Sequence, residues 1–425
     1  MRENILHYIW KYQKFTTRNL KTQCGQAVEV YSVGDHNKDS GPDFLFARLR
    51  VGKILWIGQI EIHVNASDWN DHGHQYDEAY YNVVLHVVWN HDRDIHRPDG
   101  TLIPVLSVEP YVSHLLLQRY EQLFLSPKNW INCENDFQEV DQFKFDHWIE
   151  RLYFERLQRK TEEIKSLLSK EKYHWEAVLF QLLSRSFGMK LNSDPFLSIA
   201  KSIPFKILQK NRDHQFNLEA LLLGQARLLE EDTPCDYLTS LRAKYDFLKY
   251  KYHLENRHTI KPKLFRLRPS NFPTIRLSQL AQLFHLHGQL FSKLLPLKEL
   301  SEYTNILSVS ASTYWDTHYT FGTPSKVIKK TSTASFISIV LLNAVIPLKF
   351  VYREAMGHTG KDDLIQLLRT IKGENNSVLR KFDQKRALEG HALESQGLLE
   401  LKTNYCDKNK CLDCEIGNYL LNRNM

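Results

Sequence analysis

The sequence predicts a mixed α/β (α+β) N-terminal core followed by a mainly α-helical C-terminal region. β-rich runs are concentrated before residue 110, whereas long helical patterns dominate after about residue 140. A chain of 425 residues is also too long for one ordinary hydrophobic core. We therefore expect three parts, spanning residues 1–110, 111–260 and 261–425.

The N-terminal elements are predicted in a defined order. Asn4, a favoured N-cap residue, precedes apolar residues at helical spacing, and strands are expected at 28–33, 44–51, 54–64, 83–89 and 103–108. Gly52 and Lys53 are expected to form a hairpin turn, and a short helix is expected within residues 68–81. The predicted order is helix, three strands, helix, strand.

The C-terminal region is predicted to be helical, with helices at 145–169 and 175–187 and a proline-containing connector at 257–274. Polar residues and a proline interrupt the apolar stretch 334–352, so we interpret it as a buried helix and expect no membrane partner. The chain opens without the pattern of a secretion signal, and its six cysteines suggest no disulfide framework. A cytoplasmic location is therefore expected.

The most informative run is Gln-Ile-Glu-Ile-His-Val-Asn at residues 59–65. A period of two places Glu61 and His63 on one strand face. The preceding hairpin strand begins with Gly41-Pro42-Asp43, so Asp43 is expected beside Glu61. Two converging carboxylates suit Mg²⁺ or Mn²⁺. A solvated strand face is the alternative.

Pro42-Asp43 followed by Glu61-Ile62-His63 resembles the signature of the PD-(D/E)xK nuclease superfamily, and the order of elements over roughly residues 20–110 is that of its core. The resemblance implies that Asp43 and Glu61 bind the metal, joined by the main-chain carbonyl of Ile62. His63 stands where lysine is usual. A neutral imidazole can ligate a metal or accept a proton, but it is not a permanent cation. Glu29, on the first predicted strand, is a further candidate ligand.

Nearly the whole chain also resembles an uncharacterised bacterial family catalogued as domain of unknown function 2851. That resemblance implies no established activity. The segments that carry it are Gly41–Phe44, Gly58–His63, Ser67–Trp69, His72–His74, Asn82–His86, Glu219–Gln225 and Arg268–Pro273.

Histidine is concentrated in the N-terminal part, with eight of the 19 histidines among the first 96 residues. His72, His74 and Glu78 match the H-x-H-x₃-E spacing of a cupin-like metal barrel. That alternative needs more strands than this region offers. His86, on an apolar strand, is expected to be a core histidine.

A second metal site is predicted near the C-terminus, where Cys406, Cys411 and Cys414 can wrap one ion. Lys408 and Lys410 are expected to favour the thiolate forms. The preferred fourth ligand is Cys133, and the alternatives are Cys24, Cys235 or a histidine. Zinc is the default. An iron–sulfur cluster is the alternative, because some nucleases of the superfamily close their fold with one upstream and three downstream cysteines.

Charge is unevenly distributed along the chain. Residues 1–110 contain 11 Lys and Arg against 14 Asp and Glu, and the remainder contains 45 against 35. Between residues 242 and 276, basic side chains alternate with aromatic ones, a pattern that suits DNA or RNA as well as a solvated helix face. The nucleic-acid contacts expected here are Lys249, Lys251, Lys261, Lys263, Arg266 and Arg268.

These observations favour an enzyme: a Mg²⁺- or Mn²⁺-dependent nuclease that hydrolyses phosphodiester bonds, with Asp43, Glu61 and His63 as its catalytic residues. The alternative is a non-catalytic nucleic-acid-binding or scaffold protein that keeps a nuclease-like fold.

Overall fold

A computed structural model describes residues 2–125, 130–358, 360 and 362–423. The chain forms two compact units. The sheet unit comprises residues 1–148 and 401–425, and the helical unit comprises residues 149–400. The predicted three-part division stays a prediction, and the two units are described separately.

The sheet unit is built on one seven-stranded sheet. Its strands are β1 (Leu20–Lys21), β2 (Ala27–Ser32), β3 (Asp35–His36), β4 (Phe44–Val51), β5 (Ile54–Asn65), β6 (Val83–Asn90) and β7 (Val105–Ser107), and its first helices are α1 (Glu3–Lys11), α2 (Asp68–Asp71) and α3 (His114–Leu125).

The described part of the helical unit, within residues 149–400, consists of helices and one small two-stranded sheet. Its elements are α4 (Gln142–Lys170, which contains the boundary between the units), α5 (Trp175–Phe187), α6 (Met189–Lys201), α7 (Phe205–Lys210), α8 (Gln215–Gln225), α9 (Asp236–Tyr252), α10 (Pro273–Leu286), α11 (Leu290–Leu294), α12 (Leu300–Leu307), β8 (His318–Thr320), β9 (Thr323–Pro324), α13 (Ala334–Val340), α14 (Ile346–Ala355), α15 (Asp362–Thr370), α16 (Ser377–Lys385) and α17 (Ala392–Glu400).

The chain ends in the sheet unit through a π-helical turn at Leu401–Cys406, a 3₁₀ turn at Cys411–Asp413 and α18 (Glu415–Asn422). Helix α18 is tied to the first helix of the chain. The hydroxyl of Tyr8 donates to Asn418 Oδ1 at 2.7 Å, and Asn422 Nδ2 donates to the Tyr8 hydroxyl at 2.8 Å. The sheet unit is therefore assembled from both ends of the sequence.

The large sheet runs β1-β2-β4-β5-β6-β7, with β3 beside β4. Neighbouring strands are antiparallel as far as β5, and the β5–β6 and β6–β7 pairs are parallel. Val51 is paired with Ile54 around the predicted hairpin turn, where Gly52 has a φ of +61°. The predicted mixed α/β N-terminal part, its hairpin and the helical character of the C-terminal region are confirmed.

Two backbone features shape the sheet beside the Glu61 strand. A bulge interrupts the β4–β5 register between Phe44 and Ala47, and Phe46 within it has a φ of +59°. At Gly58, a Cβ atom would lie 2.4 Å from Val84 Cγ1. Strands β5 and β6 therefore approach too closely here for any larger residue.

Apolar burial fixes α1 against the sheet. Ile5 and Ile9 of α1 belong to the same buried cluster as Ile60 and Ile62 of β5. Their alternate neighbours on β5 therefore point to the opposite face, as the period of two predicts. On that face Glu61 is only 5% exposed and His63 only 1%, which excludes a solvated strand face.

The predicted apolar helix lies in the helical unit. Residues Ala334–Ala355 form a helical stretch that includes a π-helical turn at Leu341–Val345. By length and composition alone this stretch is able to cross a membrane, but 67% of its most apolar window is buried inside the protein. The buried core helix of a soluble protein can have the same length and apolar composition.

Candidate metal centre

The predicted carboxylate pair meets at the start of β4. The backbone N–H of Asp43 donates to Glu61 Oε2 at 3.2 Å, and the backbone N–H of Ile62 donates to Asp43 Oδ2 at 2.9 Å. Each carboxylate is thus held by the backbone of the other strand. The side chain of Asp43 is 19% exposed and that of Glu61 6%. The two predicted metal ligands therefore lie side by side and are largely shielded from solvent.

Four histidines surround Glu61 on the same side of the sheet. Glu61 Oε1 lies 3.2 Å from His74 Nε2 and 3.5 Å from His63 Nε2. His63 Nε2 also lies 3.1 Å from His72 Nδ1, and His63 Nδ1 lies 2.9 Å from His86 Nε2. His86 is paired with Glu61 in the parallel register of β5 and β6 and is fully buried.

Helix α1 contributes a second donor group. His7 Nε2 lies 3.2 Å from Asp43 Oδ2 and 3.5 Å from Glu3 Oε1. Ligand atoms of Glu3, His7 and Asp43 all lie within 4.8 Å of one another, as do those of His63, His72 and His74. Asp43 therefore belongs to one set of neighbouring donors, and Glu61 lies beside two members of the other, His63 and His74.

Burial and neighbouring charges shift the pKa values of these groups. Burial and the charge of Asp43 raise the pKa of Glu61 to about 7, against the opposing effect of His74. Burial and the neighbouring rings of His74 and His72 lower the pKa of His63 to about 3. Burial would lower the pKa of His7, but its hydrogen bond to Asp43 and the charges of Asp43 and Glu3 raise it. His63 is consequently neutral at pH 7.

Two other predicted carboxylates lie elsewhere. Glu29 accepts a hydrogen bond from the Tyr31 hydroxyl at 2.7 Å and pairs with Arg50 at 3.4 Å, at the opposite end of β4 from Asp43. Glu78 is exposed. The two histidines of the predicted H-x-H-x₃-E pattern do lie together, but the carboxylate beside His74 is that of Glu61.

The four cysteines proposed for the second site line one small cavity in the sheet unit. Cys133, Cys406, Cys411 and Cys414 share its wall with Asn132, whose Nδ2 donates to Cys411 Sγ at 3.4 Å. Gly417 of α18 packs closely against Cys411, because a Cβ atom there would stand 2.1 Å from the Cys411 carbonyl oxygen. The preferred fourth donor is thus brought to the other three.

The expectation that nearby lysines favour thiolates in this cavity is wrong for Lys408 and Lys410. Burial raises the pKa of Cys414 to about 12 and also raises that of Cys411. Lys402 is the cation that lowers the pKa of Cys406, and burial outweighs it. Lys408 Nζ instead donates to Asn404 Oδ1 at 2.8 Å. A bound cation would reverse this balance by stabilising the thiolates.

The predicted basic contacts lie on α9 and on the irregular segment after it. Lys249 is half-buried, and its Nζ donates to Asn256 Oδ1 at 3.3 Å. Lys251 lies over the ring of Phe247, and Arg266 lies over that of Phe265, which is 74% exposed. The exposed members of the predicted set are Lys251, Lys261, Lys263, Arg266 and Arg268.

No curated protein and no solved structure matches this chain. The model of a family described as "Protein of unknown function (DUF2851)" matches residues 3–377, and the chain therefore belongs to that family.

Proposed function

We propose that the protein is a Mg²⁺- or Mn²⁺-dependent phosphodiesterase that cleaves nucleic acid, with the metal held by Asp43, Glu61 and the carbonyl of Ile62. The observation that carries this proposal is the reciprocal backbone hydrogen bonding of Asp43 and Glu61 across β4 and β5. It aligns two carboxylates before any ligand arrives, and such alignment is what a metal-dependent hydrolase needs.

A core like that of the PD-(D/E)xK nucleases is part of the proposal, and the order of elements is the reason for including it. Helix α1 is followed by β2, β4 and β5 as antiparallel neighbours, then by α2 and by β6 parallel to β5. Asp43 precedes the second of these three strands, and Glu61 lies on the third.

The chain also offers groups for moving and holding a proton. A bound divalent ion would polarise a phosphoryl oxygen and lower the pKa of a water molecule. His63 Nε2 lies within 3.5 Å of Glu61 Oε1, but its lowered pKa makes it a poor proton acceptor at pH 7, and it cannot replace the cationic lysine of the related signature. Glu61, with its pKa raised to about 7, is the better suited of the two to hold a proton. The pKa of His7 is raised, so its protonated form is favoured. His7 is therefore the neighbouring group best able to offset negative charge beside Asp43.

We propose that nucleic acid also contacts the basic segment of the helical unit. Lys251 and Arg266 each lie beside an exposed aromatic ring, which pairs a phosphate-neutralising cation with a surface for base stacking. DNA and RNA both present these features. The substrate panel must therefore include both.

At the cysteine cavity we propose a zinc ion, with an iron–sulfur cluster as the alternative. The four thiols come from two distant stretches of sequence and share one wall. A bound ion would cross-link these stretches, which is the usual role of a structural site. Since thiols must stay reduced to bind it, a cytoplasmic location remains our proposal.

The proposed activity is tested with Asp43→Asn and Glu61→Gln, each compared with Asp39→Asn, which changes an exposed carboxylate of the preceding loop. Each protein is incubated with Mg²⁺ or Mn²⁺ and with single- and double-stranded DNA and RNA. We expect the first two variants to lose cleavage by at least about 100-fold and Asp39→Asn to keep it. Equal cleavage by all three variants would contradict the proposal.

The second candidate function is nucleic-acid binding without cleavage. The observation in its favour is the neutral, buried His63 at the position where the resemblance expects lysine. Retained binding in a mobility-shift assay, with no cleavage of any substrate by the wild type, would favour this candidate.

A further inference from the structure

The strongest feature outside the carboxylate pair is a cluster in which nitrogens of His63 and His74 lie beside Glu61 and a nitrogen of His72 lies beside His63. The separations are 3.1 Å from His63 Nε2 to His72 Nδ1, 3.2 Å from His74 Nε2 to Glu61 Oε1 and 3.5 Å from His63 Nε2 to Glu61 Oε1. Two donors bound to one tetrahedral ion at about 2.0–2.1 Å lie roughly 3.3–3.4 Å apart. Three of the six separations among these four atoms are close to that spacing, and ligand atoms of His63, His72 and His74 all lie within 4.8 Å of one another.

The backbone conformation at Gly73 explains how the rings of His72 and His74 come to lie on the same side of the chain. His72 ends α2, His74 begins a 3₁₀ turn, and Gly73 between them has a φ of +77°. This left-handed conformation is rarely adopted by other residues. It brings the ring centroids of His72 and His74 to 5.5 Å from each other, with both rings beside His63.

His63 is oriented from behind by a second histidine. Its Nδ1 lies 2.9 Å from Nε2 of the fully buried His86, which leaves its Nε2 directed at His72 and Glu61. Metal-binding histidines usually engage a partner through the nitrogen that does not face the ion. His86 is therefore a positioning residue.

Hydrogen bonds within the protein do not account for all the donors. A neutral imidazole has one N–H, so the contacts among His86, His63 and His72 can form hydrogen bonds without an ion. His74 Nε2 is buried and lies 3.2 Å from Glu61 Oε1, but not at the angles of a hydrogen bond, and the buried His86 Nδ1 also has no hydrogen-bond partner among the described residues. A buried polar atom without a hydrogen bond calls for another ligand.

The donor chemistry selects the class of ion. Three imidazoles and one carboxylate suit zinc and similar divalent transition metals, whereas Mg²⁺ prefers a shell of oxygen atoms. The site also has access from solvent, because His72 is exposed while His63 is buried. An exchangeable position at the ion is compatible with this geometry.

We propose that His63 Nε2, His72 Nδ1, His74 Nε2 and Glu61 Oε1 bind a divalent transition-metal ion of the zinc class. The inference goes beyond the proposed function, because it concerns ion binding and holds whether or not a phosphodiester bond is cleaved. The two share His63 and, as a metal ligand, Glu61. A Mg²⁺ or Mn²⁺ ion at Asp43 and a zinc-class ion at the histidines would lie on either side of that residue.

The test uses Co²⁺ as a spectroscopic probe in the full-length, metal-stripped protein. Titration is followed by visible d–d absorption and by total bound metal, for the wild type, His72→Ala and the control His96→Ala. Both substituted histidines are exposed, so neither change opens a core cavity. Thiolate-to-cobalt charge-transfer bands report separately on ions at the cysteine cavity.

We expect His72→Ala to bind one equivalent of Co²⁺ fewer than the wild type, with loss of the nitrogen- and oxygen-ligand spectrum and unchanged thiolate bands. His96→Ala should match the wild type. If the wild type and His72→Ala bind the same number of Co²⁺ ions with the same spectrum, the proposal is overturned.

The same proteins separate this proposal from the proposed function. Asp43→Asn should keep the histidine-type Co²⁺ spectrum while losing cleavage. A wild type that binds Co²⁺ at the histidines and cleaves no substrate would overturn the nuclease proposal alone. Cleavage by the wild type without a histidine-type spectrum would overturn the metal proposal alone.

Discussion

Both units of this protein bury charged side chains, but they do so in different ways. In the sheet unit Glu61 Oε1 has two histidine nitrogens within 3.5 Å, those of His74 and His63. In the helical unit the buried charges are dispersed. Arg276 donates to Gln279 Oε1 at 2.8 Å, and Lys349 donates to the Tyr303 hydroxyl at 3.0 Å.

Glu219 is the helical unit's closest counterpart to Glu61. It is fully buried in α8, and it accepts hydrogen bonds from the indole N–H of Trp315 and from the Ser312 hydroxyl. Its partners are donors of the surrounding core, not further potential metal ligands. Burial of a carboxylate is therefore a poor guide to function, and convergence of several donors on it is a better one.

The largest difference in stability is expected between Glu219→Ala and Glu61→Ala. Loss of Glu219 leaves a cavity and an unsatisfied Trp315 N–H, and should lower the free energy of unfolding by about 3 kcal/mol. Glu61→Ala also removes the repulsion between the neighbouring carboxylates of Glu61 and Asp43, which offsets part of the loss of contacts. The free energy of unfolding of the metal-free protein should therefore change by no more than about 1 kcal/mol.

Urea denaturation of both variants measures this difference. Asp213→Ala is the control for the helical unit, because that side chain is 83% exposed. Equal losses in Glu61→Ala and Glu219→Ala would mean that the Glu61 cluster is structural in the same sense as the Glu219 network.

Two glycine substitutions, one in each unit, extend the comparison and should have somewhat smaller effects on the free energy of unfolding. In Gly58→Ala the new Cβ would stand 2.4 Å from Val84, and in Gly224→Ala it would stand 2.1 Å from the Tyr245 ring. Each should lower the free energy of unfolding by roughly 1–3 kcal/mol through overpacking. Only Gly58→Ala should also weaken Co²⁺ binding at the histidines, because it separates β5 from β6.

Isothermal titration of Co²⁺ into the two glycine variants provides the check. Gly224→Ala serves as the matched control for general destabilisation. If it weakens the histidine-type binding as much as Gly58→Ala does, the loss reports overall stability and not the β5–β6 spacing.

The smallest expected effect is a pH dependence in the helical unit. Burial and the charge of Arg353 lower the pKa of Lys349 from 10.5 to about 8. Between these values the unfolded chain binds more protons than the folded one, so stability rises with pH. From pH 7.5 to 9.5 we expect the free energy of unfolding to increase by roughly 1–2 kcal/mol through this residue.

Lys349→Met should reduce that slope in urea denaturation series at successive pH values. Part of the rise should remain, because burial also lowers the pKa of Lys160 to about 8 in both proteins. Identical slopes for the wild type and Lys349→Met would show that Lys349 is as well solvated in the folded state as in the unfolded chain.

Local patterns predicted the elements of the sheet unit well. The period of two in residues 59–65 placed Glu61 and His63 on one face, and the hairpin at Gly52 brought Asp43 beside Glu61. These relations span short stretches of sequence and follow from strand geometry. The helix at 175–187 was likewise predicted from its spacing.

Contacts between distant elements were beyond prediction from local pattern. Nothing in the spacing of Glu3 and His7 indicated that α1 would carry them to Asp43. The H-x-H-x₃-E spacing pairs His72 and His74 with Glu78, whereas in the structure the carboxylate beside His74 is Glu61 on the preceding strand. Parallel pairing of β5 with β6, which sets His86 beside Glu61, is likewise a tertiary property.

The two-ended construction of the sheet unit has a consequence for synthesis on the ribosome. Every residue of the histidine–carboxylate cluster has been translated by residue 86, whereas the cysteine cavity needs Cys414 and the α1 contact needs Asn418. At about 5–20 residues per second, roughly 15–65 seconds separate these events. During that interval the nascent sheet unit lacks α18, including the core residue Leu421. Its uncovered apolar surface is a natural target for chaperones.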